Sequence, residues 1–194
     1  MANLRNLCVY CGSKNGHDPV YAALARELGR RCAESGVGVV FGGGHIGLMG
    51  QLAQSTLEGG GKVVGILPEH LRQLEVADEA ISELVIVDSM HTRKRMLAER
   101  ADAFCVLPGG LGSLDEMVEI ITWKQLGLHD KPVVLLDHEG YWQPFLNLIE
   151  HQTRHGFVSP GARDLFSVAA DLDAMFEAVA AHPEPELRTA GGRL

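Results

Sequence analysis

No stretch of this sequence stays apolar for the roughly 18 residues that a bilayer-crossing helix needs, and residues 1–6 lack the apolar segment of a secretory signal. These absences predict a soluble, cytoplasmic protein. Cysteine is scarce. Cys8, Cys11, Cys32 and Cys105 are too few for a disulfide scaffold in 194 residues, and each lies in or beside an apolar segment, so reduced, buried thiols are expected. Basic residues are outnumbered, seventeen Lys and Arg against twenty-five Asp and Glu, for a formal net charge of −8. A field of that sign repels nucleic-acid backbones and anionic membranes, so neither is an expected partner, and an anionic ligand needs a local grip. There is no internal repeat and no low-complexity block.

What the sequence does have is ordinary globular composition, 46% hydrophobic and 22% charged, in a length that suits one buried core. Short apolar runs alternate with helical-period stretches, the pattern of βα units on a parallel sheet. Strands are expected at residues 7–10, 37–41, 62–67, 84–87, 103–107 and 133–136. Helices are expected after Asp18-Pro19, after the glycines at 42–44, and over 91–100, 113–126, 142–154 and 171–181. In the helix over 113–126, Leu114, Val118 and Ile121 are expected to face inward. The predicted fold is a single α/β domain over 1–183, a Rossmann-like open parallel sheet with helices on both faces, and a frayed, disordered tail at 184–194. In such sheets ligands bind beyond the carboxyl ends of the strands.

Two glycine-rich turns lie there, each leading from a strand into a helix, where backbone N–H groups and a positive helix end suit a phosphate. The first, Gly42 to Gly47, spells G-x-G-x-x-G with Glu69 at the spacing of a ribose-binding carboxylate. That leaves an NAD-dependent oxidoreductase as a weaker alternative, since the motif follows the second strand rather than the first. The second, Pro108-Gly109-Gly110-Leu111-Gly112-Ser113-Leu114-Asp115-Glu116, adds a carboxylate one helical turn on. Ser113 and Glu116 also have capping-box spacing, so Glu116 has a purely structural reading as a cap. In His91-Thr92-Arg93-Lys94-Arg95, cations crowd the first turn of a helix, the end where the dipole disfavours them by about 0.3–1 kcal/mol each. Pairing with Glu99 accounts for Arg95; an anionic ligand accounts better for Arg93 and Lys94.

A phosphate cradle, a carboxylate and an arginine at one sheet mouth are the parts needed to break the N-glycosidic bond of a nucleotide. Departure of the base leaves oxocarbenium character on the sugar, which a carboxylate stabilises while orienting water. The arginine suits either the phosphate or the leaving side. Other candidates are poorer. Cys8-Val9-Tyr10-Cys11 has C-x-x-C spacing but no second pair, and His151 and His155 share i, i+4 spacing without the Glu of a zinc-protease helix. Ser113 has no evident His–Asp relay.

The chain resembles the LONELY GUY (LOG) family of cytokinin riboside 5′-monophosphate phosphoribohydrolases. The elements that carry the likeness are Cys11-Gly12-Ser13, Gly42-Gly43-Gly44-x-x-Gly47-Leu48-Met49-Gly50, Met90-His91-x-Arg93-Lys94, and Pro108-Gly109-Gly110-x-Gly112-Ser113-x-x-Glu116. Ile121-Thr122-Trp123-x-Gln125-Leu126-Gly127, followed by Lys131-Pro132, extends it. The resemblance implies a cofactor-free homodimer that hydrolyses a nucleoside 5′-monophosphate, AMP or its N6-isoprenoid form, to free base and ribose 5-phosphate. It implies Arg93 and Glu116 as the catalytic pair. Nucleotide contacts are implied for Lys94, Gly109, Gly110, Leu111, Gly112, Ser113, Thr122, Glu75, Met90, Ser13, Gly43 and Gly44. Two positions depart from the family pattern: Ser113 replaces a threonine, and Leu111 stands where tyrosine is common. Within the wider superfamily, a non-catalytic nucleotide or phospho-ligand carrier is the alternative. Relatives labelled lysine decarboxylases suggest pyridoxal phosphate, for which no Schiff-base lysine is identifiable here.

Overall fold

Side chains along a strand alternate between two faces, and in this chain both faces need apolar cover. In the first strand, β1 (Asn6–Tyr10), Leu7 and Val9 enter one core while Cys8 and Tyr10 enter the other. The computed structural model describes residues 4–72 and 80–182. The elements after β1 are α1 (Pro19–Glu34), β2 (Gly38–Phe41), α2 (Gly47–Glu58), β3 (Val63–Pro68), β4 (Glu83–Val87) and α3 (Met90–Arg100). Then come β5 (Ala103–Val106), α4 (Leu111–Gln125), β6 (Val133–Leu136), α5 (Gln143–Arg154), β7 (Ser167–Ala169) and α6 (Leu172–Ala181).

The strands form one sheet in the order β4-β3-β2-β1-β5-β6-β7, every neighbouring pair parallel. Helices α1, α2 and α6 cover one face through Leu28, Cys32, Leu52 and Met175; α3, α4 and α5 cover the other through Leu97, Met117, Ile120 and Phe145. Burial on both faces is why the central strands read as continuous apolar runs. The order reverses at β1, whose neighbours are β2 and β5, so the switch-point crevice opens beyond their carboxyl ends. The Rossmann-like parallel sheet inferred from the sequence is therefore present.

Local chemistry sets the element ends. Asp18 Oδ1 accepts from Val20 N at 2.9 Å and Pro19 takes the first position of α1, as its sequence predicts. Two expectations are corrected. The edge strand β7 was not anticipated: its three residues are too few to show a period, and pairing with β6 creates it. Helix α4 starts at Leu111 with Gly110 as its N-cap, so the stripe facing the sheet is Ser113, Met117 and Ile120. Val118 is 43% exposed, while Leu114 and Ile121 are only half-buried. The tail expected at 184–194 lies outside the described residues, as does Glu75. Among the described residues, no helix is long and apolar enough to cross a membrane.

Candidate active site

Three loops meet beyond the carboxyl ends of β1, β2 and β5, and Gly12 ties them together. Its N–H donates to the Pro108 carbonyl at 3.1 Å, and its own carbonyl accepts from Leu48 N, at the start of α2, at 3.0 Å. A Cβ at Gly12 would lie 3.0 Å from the Lys14 carbonyl and 3.4 Å from Gly109 Cα, so backbone meets backbone there. Gly47, at φ 64°, sits against the Ser13–Lys14 peptide, where a Cβ would collide with main chain. The first glycine motif is thus used to pack the turn after β1 against α2. Together with Arg93, which occupies the space beside Gly42, this explains the G-x-G-x-x-G spacing without a dinucleotide.

Helix α3 delivers the arginine. Ser89 Oγ accepts from Thr92 N at 3.2 Å and caps the helix, which fixes the first turn that carries Met90 and Arg93. The neighbouring Asp88 carboxyl is held below its usual value by hydrogen bonds from the Thr92 and Ser89 side chains. Arg93 is only 5% exposed, and its Nη2 donates to the Gly42 carbonyl at 3.1 Å, with Nη1 3.8 Å from Met90 Sδ. A guanidinium buried this deeply and bonded to a main-chain carbonyl is held in one orientation, aimed at the turn after β2. A Cβ at Gly42 would collide with Nη2, so the glycine is what makes room for the arginine.

Helix α4 delivers the carboxylate. No side chain caps this helix, so its first-turn N–H groups are free of a capping oxygen. Ser113 lies within that first turn rather than before it, so the capping-box reading of Ser113 and Glu116 does not hold. Ser113 is largely buried and its side chain lies against Gly109, where a Cβ would strike Ser113 Oγ. Tyr141 Oη donates to the Gly109 carbonyl at 2.7 Å and steadies the loop from the far side. Glu116, one turn on and half-buried, lies close enough to the end of β1 to act on its groups. Burial first, and the Glu116 charge next, push the Cys8 and Cys11 thiols up; burial, the Cys8 thiol and then Glu116 do the same to the Tyr10 phenol. These groups stay protonated beneath the carboxylate.

The model of the family described as "Possible lysine decarboxylase" matches residues 49–179. The chain is 45% identical over 162 residues to the rice (Oryza sativa subsp. japonica) cytokinin riboside 5′-monophosphate phosphoribohydrolase LOG, covering 84% of this chain and 67% of that one. It is 42% identical over 176 residues to the Rhodococcoides fascians cytokinin riboside 5′-monophosphate phosphoribohydrolase, covering 90% and 89% of the two chains. The chain belongs to the LOG family.

Solved structures share the fold of this LOG-family chain at lower identity. The molybdenum cofactor carrier protein of Chlamydomonas reinhardtii superposes with a TM-score of 0.67 at 22% identity, over 92% of this chain and 97% of that one. The molybdenum cofactor binding protein of Rippkaea orientalis gives 0.69 at 20% identity, over 93% and 98%. At those identities the likeness speaks for the fold alone.

Of the residues singled out in the sequence, Ser13, Gly43, Gly44, Met90, Arg93, Gly109, Gly110, Leu111, Gly112, Ser113 and Glu116 all sit on the turns and helix starts beyond β1, β2, β4 and β5. Lys94 has carboxylate neighbours: Nζ is 2.7 Å from Asp115 Oδ2 and 3.5 Å from Glu119 Oε1. Thr122 lies further along α4, exposed, donating to its own helix at the Val118 carbonyl at 2.7 Å. Arg95 pairs with Glu99 at 3.0 Å, as its spacing predicts. Sequence reasoning quoted Gly12 and Asp115 within motifs without giving either a role of its own, and missed Glu119 and Tyr141. Asp115 stands beside Glu116 in the motif and was visible; Tyr141 arrives from 32 residues beyond Gly109 with no local signal.

Two alternative metal readings fail on geometry. Cys8 and Cys11 are three positions apart along an extended segment, so they enter opposite cores of the sheet and cannot share a ligand. His151 and His155 have ring centroids 4.5 Å apart, but no group of three or more His, Cys, Asp or Glu among the described residues has metal-binding geometry.

Proposed function

We propose that this chain hydrolyses the N-glycosidic bond of a nucleoside 5′-monophosphate, cytokinin riboside 5′-monophosphate or AMP, to free base and ribose 5-phosphate. The observation that carries the reading is that Arg93, in the first turn of α3, and Glu116, one turn into α4, stand on two separate crossover helices that start beyond the carboxyl ends of the strands, with the start of α4 uncapped. The phosphate is held by the N–H groups of Gly110 to Ser113 and the Ser113 hydroxyl. Glu116 stabilises the positive charge that develops on the sugar and accepts a proton from water. The water oxygen bonds to C1′ as the C1′–N bond breaks; the electron pair of that bond leaves with the base nitrogen, which takes up a proton to balance the one passed from water to Glu116. Arg93, fixed on Gly42, balances charge on the phosphate or on the departing base. Relatives at 42% and 45% identity that are named for this reaction support it.

Lysine chemistry is a poorer fit. Lys94 Nζ sits between carboxylates, Lys124 Nζ donates to the Lys131 carbonyl at 3.0 Å, and Lys131 Nζ donates to the Ala98 carbonyl at 2.7 Å. Each is committed to structure, away from a Schiff-base role. We also propose a homodimer, on the apolar positions that α4 leaves uncovered. The decisive experiment incubates purified protein with AMP and with N6-isopentenyl-AMP and measures free base and ribose 5-phosphate. Stoichiometric nucleotide binding without release of base would show a carrier instead.

A further inference from the structure

Lys94 carries a charge where its own helix does not favour one. It lies in the opening turns of α3, at the positive end of the helix, and its side chain is only 15% exposed. Two acids on the neighbouring helix compensate. Asp115 and Glu119 are four apart, on one face of α4, and both reach Nζ, at 2.7 and 3.5 Å. Burial alone would lower the Lys94 pKa; the Asp115 hydrogen bond and the Glu119 and Asp115 charges outweigh it and hold the ammonium above its ordinary value.

The sequence neighbours give this bridge its meaning. Arg93 precedes Lys94 on α3, and Glu116 follows Asp115 on α4. Successive Cα atoms are about 3.8 Å apart, so a bond between residues 94 and 115 restrains how far α3 and α4 can part at residues 93 and 116. One ammonium against two carboxylates leaves the cluster with a net negative charge, which repels a phosphate rather than gripping it.

We propose that Lys94 is a positioning residue: bridged to Asp115 and Glu119, it locks α3 against α4 so that Arg93 and Glu116 address the same sugar. This inference rests on the hydrolase reading and deepens it. Lys94 acts through the acids, so its effect falls on turnover rather than on nucleotide affinity.

The test is a cycle of Lys94→Met, Asp115→Asn/Glu119→Gln and the triple variant, assayed with AMP and N6-isopentenyl-AMP, with Lys94→Arg as the conservative control. Misplacing one of two cooperating groups lowers kcat of Lys94→Met by about tenfold or more, while KM stays within about twofold. The triple variant loses no more kcat than Lys94→Met, because both changes remove one bridge. Lys94→Arg, which still spans two carboxylates, retains most of the turnover. If Lys94→Met does not fold, Asp115→Asn/Glu119→Gln breaks the same bridge from the other side and must show the same loss of kcat at constant KM. A raised KM with unchanged kcat, or losses that add in the triple variant, would overturn the bridge and assign Lys94 to the phosphate. A wild-type protein that turns over neither nucleotide would instead overturn the hydrolase reading, and this inference with it.

Discussion

On the proposed reading Arg93 and Glu116 carry the chemistry, and the place of each can be questioned alone. Glu116 is not a helix cap, because α4 begins at Leu111 and leaves no capping box for it to complete. Glu116→Gln keeps the size and removes the charge. It is expected to lower kcat by about 10²–10⁴-fold, the range for losing a positioned base, with an unchanged thermal midpoint. Full activity in that variant would return Glu116 to a structural role. Gly42 is as specific a requirement. Its hydrogen is all that fits beside Arg93 Nη2, so Gly42→Ala must displace the guanidinium from the carbonyl it now meets at 3.1 Å. The expected cost is about 1–3 kcal/mol of stability from overpacking, read by urea denaturation, and a fall in kcat/KM of about tenfold or more. An active Gly42→Ala enzyme would mean that Arg93 does not need its present anchor. Both residues stood out in the sequence, Glu116 for its spacing from the glycines and Gly42 as part of a motif. The reason for Gly42 did not, because it depends on a side chain 51 positions away.

Elements with a strong period were legible, and those defined by their neighbours were not. Six of the seven strands could be read from apolar runs because the sheet is covered on both faces, whereas β7 exists only through its pairing with β6. The inward face of α4 was legible in part: Leu114 and Ile121 pack against the core, whereas Val118 is exposed. Its most apolar stripe, Leu114, Val118 and Ile121, is not its most buried one, since Ser113 takes the close approach to Gly109. The cysteines illustrate the same limit. A C-x-x-C spacing suggests a pair until the extended backbone of β1 sends Cys8 and Cys11 into opposite cores, with Cys105 and Cys32 also buried. Burial pushes the Cys32 thiol up to about 12 and raises the other three as well. A raised thiol pKa means less thiolate at a given pH, about one part in ten thousand at pH 8 for a group titrating at 12. Iodoacetamide at pH 8 is therefore expected to leave all four cysteines unmodified in the folded protein and to alkylate all four in urea, as mass spectrometry would show. Rapid alkylation of Cys8 and Cys11 in the native state would contradict their burial and reopen a redox role.

At the scale of the whole molecule, charge and apolar surface pull against each other. Along and just beyond α4, Leu111 is 86% exposed, Val118 43%, and Leu126 and Leu128 68% each. Leu111 and Val118 are seven apart and share a helix face, with Thr122 one turn further on, so the exposed row leads away from the N-terminal end of α4. A row of exposed apolar residues of this kind favours burial against another surface, and a second copy presents the same row in a two-fold arrangement. Yet each chain carries a net charge of −8, so two copies repel at long range. The proposed dimer would have to be driven by apolar burial, which fixes the sign of its salt dependence: screening weakens the repulsion and leaves the burial, so added salt is expected to tighten it. Light scattering is expected to give the mass of two 21.0-kDa chains, with the dimer dissociating at higher concentration in low salt than in high salt. Val118→Asp combined with Leu126→Asp places a desolvated charge at two points of the row and is expected to yield monomer under both conditions. A wild-type monomer at every concentration, or a dimer that salt dissociates, would show that α4 does not supply an apolar interface.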